Sequence, residues 1–179
     1  MNMKVIFLDF DGVINDYLSF NQVNEKNAEV LKRIIAETDA KVVVTSSHKY
    51  RWQRNNSTTS MLNNYYVKSL KEKGIDIFDC TPLVNCEREQ EILKYLENHP
   101  EVTEFVILDD DYIIKSLKDH EIFIDLQAGL KEKHVIPAIR ILNGNLSFYH
   151  DCTEEELNET PEERVLRMNQ IYHDLKSKA

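Results

Sequence analysis

The chain has 179 residues, and 22 basic against 31 acidic side chains give it a formal net charge of −9. This length and composition predict one globular domain. The net negative charge argues against nonspecific electrostatic binding to nucleic acid or to an anionic membrane. With only 4 glycines and neither a GxGxxG nor a GxxxxGK[ST] pattern, the dinucleotide fingerprint and the Walker-type loop are both excluded.

The cysteines and the N-terminus indicate a compartment. The chain has 3 cysteines and no CxxC pair, which suits reduced thiols better than a disulfide framework. The N-terminus lacks the pattern of a signal peptide, and no apolar run approaches the roughly 18 residues of a membrane span. We therefore expect a cytoplasmic protein that does not associate with membranes.

Short apolar runs alternate with amphipathic stretches along the chain. This alternation predicts an α/β fold with a mainly parallel sheet and helices on both faces, in which ligands bind beyond the carboxyl ends of the strands. In chain order the predicted elements are strand 4–9, helix 24–37, strand 41–45, helix 59–73, strand 75–78, helix 87–98, strands 104–108 and 121–126, helix 135–142 and a weak strand 146–149.

The last part of the chain is predicted to be separate from this domain, which spans residues 1–150. Residues 151–164 hold seven acids and one arginine, as expected of a solvated acidic tether. A capping box at Thr160 and Glu163, with proline at the first helical position, predicts a helix within the segment 151–179. We expect this amphipathic helix to pack on the domain, with binding to a partner as the alternative, through the apolar residues Val165, Met168, Tyr172 and Leu175.

Acidic residues follow two of the predicted strands. Asp9 and Asp11 end the first strand, and Asp109 and Asp110 belong to a run of three aspartates after the strand 104–108. Carboxylates this close at a buried strand end repel one another and lose solvation, and a cation between them relieves both costs. Oxygen ligands of this kind suit Mg²⁺. Gly12 would let the backbone turn sharply after Asp11 and is a candidate substrate contact.

A polar segment follows the second strand. The hydroxyls and backbone N–H groups of Thr45, Ser46 and Ser47 could hold phosphate oxygens. His48 and Lys49 come next and are candidate substrate contacts, although His48 could equally be an ordinary loop histidine. Each motif alone also has a structural interpretation: a turn, a solvated loop or a helix start. Their combination, in this order and each at the end of an apolar run, favours a catalytic site.

Together these motifs resemble those of the haloacid dehalogenase-like (HAD) superfamily of phosphohydrolases. An apolar strand followed by D-x-D-G-V matches residues 5–13, the second motif matches 42–45, and the fourth, ending in two acids, matches 106–110. The basic third motif is matched by Arg88, with Lys94 as the alternative. The resemblance covers residues 3–142 and is greatest to the small capless HAD domains found alone and in RNA-repair proteins.

The resemblance implies a Rossmann-like fold and a mechanism. Asp9 would attack phosphorus to form an aspartyl-phosphate, and Asp11 would protonate the leaving oxygen and then activate water. Thr45 and Arg88 would hold the phosphoryl oxygens. The ligands of Mg²⁺ would be the carboxylates of Asp9 and Asp109 and the backbone carbonyl of Asp11, and Asp110 would either coordinate the ion or support these ligands.

The segment 46–74 has room for a helical excursion but not for a full cap domain, so we expect an open site. It carries six basic residues and one acid, with Trp52, Tyr65 and Tyr66 among them. That pattern suits a phosphate backbone and stacked bases, or alternatively a solvated helix face. The expected substrate is a phosphate monoester, either a nucleotide or a polynucleotide end. The alternatives are a small-molecule phosphatase or phosphotransferase of the same fold, and a non-catalytic HAD-fold binding module.

Overall fold

The computed structural model describes residues 2–16, 22–54, 61–111, 114–150, 153, 155 and 158–178. Its centre is a six-stranded sheet in which every pair of neighbours is parallel. The strands are β1 Met3–Leu8, β2 Lys41–Val44, β3 Ile77–Cys80, β4 Val102–Asp109, β5 Glu121–Phe123 and β6 Tyr149–His150. Their order in the sheet is β3-β2-β1-β4-β5-β6. The predicted α/β class with a parallel sheet is therefore confirmed.

Helices cover both faces of this sheet. Alternate residues of β1 enter two different cores, because successive side chains of a strand point to opposite faces. The helices are α1 Glu25–Thr38, α2 Lys49–Arg54, α3 Tyr65–Glu72, α4 Arg88–Asn98, α5 Val135–Ile141 and α6 Pro161–Lys178, with short 3₁₀ turns at Lys115–His120 and Glu132–His134. Ile6 and Leu8 pack with apolar residues of α1, α3 and α5, whereas Val5 and Phe7 pack with those of α4.

The segment between β2 and β3 differs from its prediction. A separate helix, α2, begins after four residues that follow β2, and the helix predicted at 59–73 is interrupted: Met61 and Leu62 are helical, but α3 begins at Tyr65. Asn64 is the reason, because its backbone is extended and its side chain accepts hydrogen bonds from the backbone N–H of Tyr66 at 2.9 Å and of Val67 at 3.4 Å. Residues 55–60, where the predicted helix would have begun, lie outside the described residues.

The described residues form no second sheet, and the regular elements that they form between β2 and β3 are all helices, as expected of a fold without a full cap domain. The strand predicted at 75–78 is displaced to Ile77–Cys80, and the strand predicted at 121–126 ends at Phe123. Residues 112 and 113 lie outside the described part of the chain, and a 3₁₀ turn follows at Lys115–His120.

The C-terminal helix α6 begins as its capping box predicts. The backbone N–H of Thr160 donates to Glu163 Oε2 at 2.8 Å, and the backbone N–H of Glu163 donates to Thr160 Oγ1 at 3.2 Å. Val165 is exposed, and the side chains of the other three residues of the predicted stripe lie outside the described ones. Packing of α6 on the domain stays a prediction. Among the described helices, none is long and apolar enough to cross a membrane.

Candidate active site

The strand order brings three of the sequence motifs to one edge of the sheet. Asp9 follows β1, Thr45 follows β2 and Asp109 ends β4, and these strands are neighbours in the order β2-β1-β4. The parallel ladder continues into the motif residues, because Thr45 N donates to Leu8 O at 2.9 Å and Asp9 N donates to Leu108 O at 3.0 Å. This edge lies where the strand order reverses direction, the usual binding position in open α/β sheets.

A buried cluster of three carboxylates occupies this edge. Asp9, Asp109 and Asp110 each offer one carboxylate oxygen, and these oxygens lie within 4.8 Å of one another. All three residues are buried. The side chain of Asp11 is not part of this cluster, so a ligand role for Asp11 would have to use its backbone carbonyl.

Arg88 extends from the first turn of α4 into the carboxylate cluster. Its Nη1 forms an ion pair with Asp109 and lies 3.3 Å from Thr45 Oγ1, and its Nη2 lies 3.5 Å from Asp9 Oδ2. Lys94, the alternative basic residue, is exposed and pairs with Glu97 at 2.7 Å. The structure therefore brings Arg88, and not Lys94, to the site.

The donor set of the cluster fits a divalent cation. Three carboxylates against the one guanidinium of Arg88 leave two negative charges in a buried volume, which a divalent ion would balance. All the ligand atoms are oxygens, the type that Mg²⁺ prefers, and their mutual distances allow one ion to contact all three. The residues that would hold Mg²⁺ are Asp9, Asp109 and Asp110.

Gly12 makes room for Asp110 in this cluster. Its backbone adopts a φ of +71°, and a Cβ at this position would lie 2.3 Å from Asp110 Cγ. The predicted importance of Gly12 thus has a second physical cause beyond the turn: only a residue without a side chain lets Asp110 approach β1 this closely.

Asp11 occupies a different environment from Asp9, although only one residue separates them. Its Oδ1 accepts hydrogen bonds from Tyr66 OH at 2.5 Å and Asn15 Nδ2 at 3.0 Å, and its Oδ2 lies 2.9 Å from His48 Nε2. Burial by itself raises the pKa of Asp11, but the hydrogen bonds from these three side chains outweigh it and lower the pKa below its usual range. In the absence of substrate, these contacts therefore favour the ionised form of Asp11.

The other predicted contacts after β2 are placed unequally. Ser46 is buried and Ser47 is exposed, and His48 reaches Asp11. Lys49 does not reach the open site: it is fully buried, its Nζ lies 2.5 Å from Glu91 Oε2, and it donates to Thr45 O at 3.0 Å. The prediction that Lys49 contacts the substrate is therefore corrected, because its ammonium group is buried and its charge is neutralised by Glu91.

Two buried acids on the α4 side of the sheet were not anticipated from the sequence. Glu91 lies one helical turn after Arg88 and pairs with Lys49, so this ion pair joins α4 to the end of β2. Glu121 begins β5, and its Oε2 accepts a hydrogen bond from the backbone N–H of Ile114 at 2.9 Å. Burial, together with the negative charge of Asp109, raises the pKa of Glu121 to about 8.

This fold and this arrangement of strand-end residues define a haloacid dehalogenase-like domain. More particularly, the chain belongs to the family described as the HAD domain in Swiss Army Knife RNA repair proteins, whose family model matches residues 5–135. The resemblance found from the motifs is thereby confirmed. No curated protein matches the chain.

Proposed function

We propose that this protein is a Mg²⁺-dependent phosphoric monoester hydrolase that works through an aspartyl-phosphate on Asp9. One observation carries the proposal: the two acids of D-x-D have opposite surroundings. Asp9 lies among two carboxylates and a guanidinium, whereas Asp11 lies outside that cluster and is bonded to neutral or basic donors. Two carboxyls in such different environments suit two different roles in one reaction.

In the first half of the proposed reaction, an oxygen of Asp9 attacks phosphorus while the bond to the leaving oxygen breaks. Asp11 transfers to that oxygen a proton that it takes up from solvent when the substrate binds, because the nearby negative charge of the phosphate opposes the ionised form of its carboxyl. A Mg²⁺ ion held by the carboxylate cluster would neutralise charge on the phosphoryl oxygens. Thr45 and Arg88 orient those oxygens, since they lie within 3.3 Å of each other at the same strand edge.

In the second half, Asp11 removes a proton from a water molecule, which attacks the phosphorus of the aspartyl-phosphate. The bond between phosphorus and Asp9 breaks, inorganic phosphate leaves and the Asp9 carboxylate is restored. The hydrogen bonds that keep Asp11 ionised favour this step, because a general base must be free of its proton when it acts.

We propose a nucleotide or polynucleotide end as the substrate. The site has no cap domain over it in the described chain, and the family is described from RNA repair proteins. Tyr65 is 53% exposed, and its ring lies 5.8 Å from the ring of Tyr66, the residue that contacts Asp11. Lys68 and Lys71 are exposed on the same helix. An exposed aromatic with basic neighbours suits a stacked base and its backbone phosphate.

The experiment that tests this function is a phosphate-release panel with Mg²⁺ and with a chelator. It compares oligonucleotides phosphorylated at the 3′ or 5′ end, mononucleotides, sugar phosphates and 4-nitrophenyl phosphate. We expect Mg²⁺-dependent release that D9N abolishes and that D76N, at an exposed aspartate away from the site, retains. Preference for sugar phosphates would favour the small-molecule alternative, and no release from any substrate would favour a binding module.

A further inference from the structure

Asp11 is held by side chains from three separate segments of the chain. Asn15 belongs to the loop after β1, His48 precedes α2, and Tyr66 belongs to the first turn of α3. We propose that Tyr66, together with His48 and Asn15, is a positioning group that fixes the Asp11 carboxyl in the orientation needed for proton transfer. This inference rests on the proposed function, because it assigns a purpose to the residues around its acid–base group.

The hydrogen bonds define both oxygens of the carboxyl. Oδ1 accepts from Tyr66 OH and from Asn15 Nδ2, and Oδ2 is bonded to His48 Nε2. Asn15 Nδ2 also donates to Tyr66 OH at 3.1 Å, and Asn15 Oδ1 accepts from the backbone N–H of Gly12 at 2.7 Å. The donors are thus bonded to one another and to the backbone beside Asp11, which fixes the side-chain torsions of Asp11 and not merely its position.

Packing holds the donors in place. Tyr66 is 2% exposed and Asn15 is fully buried, whereas the side chain of Asp11 is 38% exposed. The ring of Tyr66 lies 5.0 Å from the ring of Phe10 and 4.9 Å from that of His48, in an edge-on contact with the latter. Without these rigid donors, a carboxyl with this exposure could rotate into solvent. It would then no longer lie beside the reacting phosphoryl group.

The arrangement also assigns a purpose to the segment between β2 and β3. Both His48 and Tyr66 come from this segment, and it supplies two of the three donors to Asp11. An acid–base group must meet first the leaving oxygen and then a water molecule, so its orientation matters in both half-reactions. The segment therefore acts on the chemistry through Asp11, in addition to any contact that it makes with the substrate.

Leaving-group dependence distinguishes a positioning role from a purely structural one. A nitrophenolate leaves without needing a proton, whereas an alkoxide leaves only when protonated, so misplacing Asp11 should slow phosphoryl transfer from an alkyl phosphate far more. A general disruption of the folded active site would instead slow phosphoryl transfer from both substrates equally. The measured quantity is the first-turnover rate of alcohol or nitrophenol release, which isolates the first half-reaction.

The variants are Y66F, H48A and H48Q, with Y149F and H120Q as matched controls on other elements. The substrates are ethyl phosphate and 4-nitrophenyl phosphate, each with Mg²⁺. Since acid–base catalysis contributes about 10²–10⁴-fold in all, we expect Y66F and H48A to lower the ethyl-to-nitrophenyl rate ratio roughly 10-fold. H48Q should recover part of the loss, because its amide nitrogen can take the place of the imidazole Nε2. The controls should keep the wild-type ratio.

An active wild type whose rate ratio is unchanged in Y66F and H48A would overturn this inference alone, even if both rates fall together. A wild type that releases phosphate from neither of these substrates, nor from any phosphorylated oligonucleotide or mononucleotide, would overturn the proposed function, and this inference with it. Thermal unfolding of each variant shows whether an inactive variant is unfolded. If Y66F does not fold, the ratio measured with H48A and H48Q decides the question.

Discussion

Gly12 lies so close to Asp110 that a Cβ added to it would be 2.3 Å from Asp110 Cγ and 2.4 Å from its Oδ2. These residues belong to the loops that follow β1 and β4, neighbouring strands at the centre of the sheet. The contact therefore sets the distance between the loop that carries Asp9 and Asp11 and the loop that carries Asp110. The geometry of the carboxylate cluster depends on the absence of a side chain at position 12.

The G12A variant should consequently lose metal affinity as well as stability. Its methyl group must displace Asp110, and a change that disturbs the surroundings of a metal ligand typically costs roughly 10- to 100-fold in affinity. The backbone at position 12 has a left-handed conformation with a φ of +71°, and alanine in this conformation adds a strain of about 1–3 kcal/mol. Isothermal titration calorimetry with Mg²⁺ and denaturant unfolding measure the two effects.

The matched control for this variant is G74A. Gly74 has a φ of +81°, but a Cβ there would meet no atom within 4 Å. G74A should therefore lose a similar amount of stability while keeping the wild-type Mg²⁺ affinity. Equal Mg²⁺ affinities for G12A and wild type would show that Asp110 does not depend on Gly12 for its position.

The buried ion pair between Lys49 and Glu91 should matter for stability chiefly because each side chain neutralises the buried charge of the other. Burial lowers the pKa of Lys49, and the attraction of Glu91 opposes that effect. K49M leaves Glu91 as an unpaired buried charge, which should cost about 3–5 kcal/mol in the free energy of unfolding. The double variant K49M/E91L should regain most of this loss, because it removes both charges. Denaturant unfolding at neutral pH measures both values.

Lys94 provides the comparison for this prediction, because it pairs with Glu97 on the exposed face of the same α4 helix. K94M should change stability by less than about 1 kcal/mol. A loss in K49M as small as that in K94M would mean that Glu91 finds another partner or takes up a proton. A double variant no more stable than K49M would argue that the two side chains matter for packing and not for charge.

Glu121 should make stability depend on pH in the metal-free protein. The pKa of Glu121 in the folded state is raised from 4.5 to about 8, because the buried site favours the protonated carboxyl. The contribution of Glu121 to the free energy of unfolding is therefore greatest below about pH 4.5 and is lost as the pH rises towards 8. E121Q removes this dependence. The stability of E121Q relative to wild type should therefore increase between pH 5 and pH 8, as measured by denaturant unfolding with a chelator present. A difference that stays constant across this range would contradict the assignment.

Tyr65 should contribute to binding a polynucleotide end but not a small substrate. Stacking of a base on an aromatic side chain is worth about 1–3 kcal/mol, so Y65A should lower kcat/KM for a phosphorylated oligonucleotide roughly 5- to 150-fold. Its kcat/KM for 4-nitrophenyl phosphate should be unchanged. Phe78, on the edge strand β3, is also 53% exposed, and F78A serves as the matched control. Equal effects of Y65A and F78A on the oligonucleotide would count against a stacking surface at Tyr65.

The sheet and the strand-end site could be predicted because both depend on local patterns. The apolar runs of β1, β2 and β4 are buried on both faces, and this leaves a continuous hydrophobic signal in the sequence. The carboxyl ends of neighbouring parallel strands must meet at one edge, so Asp9, Thr45 and Asp109 come together once the strands are assigned. The helix predicted at 59–73 is interrupted at residues 63–64, because nothing in this polar segment of the sequence indicates the helix cap at Asn64.

The contacts that depend on tertiary structure could not be predicted in the same way. Tyr66 reaches Asp11 across 55 residues, and Lys49 reaches Glu91 across 42. Tyr66 could be noticed as an aromatic among basic residues, but no spacing rule relates it to Asp11. The sequence predicts Lys49 to be a substrate contact because it follows the second motif, and only the packing of α4 shows that it is buried.

The central claim is that Asp9 carries the phosphoryl group during turnover. The most direct measurement uses D11N, in which hydrolysis of the aspartyl-phosphate should be slow, mixed with 4-nitrophenyl phosphate and Mg²⁺ and quenched in acid. Reduction of the acyl-phosphate with borohydride converts the modified aspartate to homoserine, which peptide mass spectrometry locates. We expect homoserine at position 9 in D11N, less of it in wild type and none in D9N. Phosphate release by the wild type, with no modification at Asp9 in either protein, would contradict the proposed mechanism.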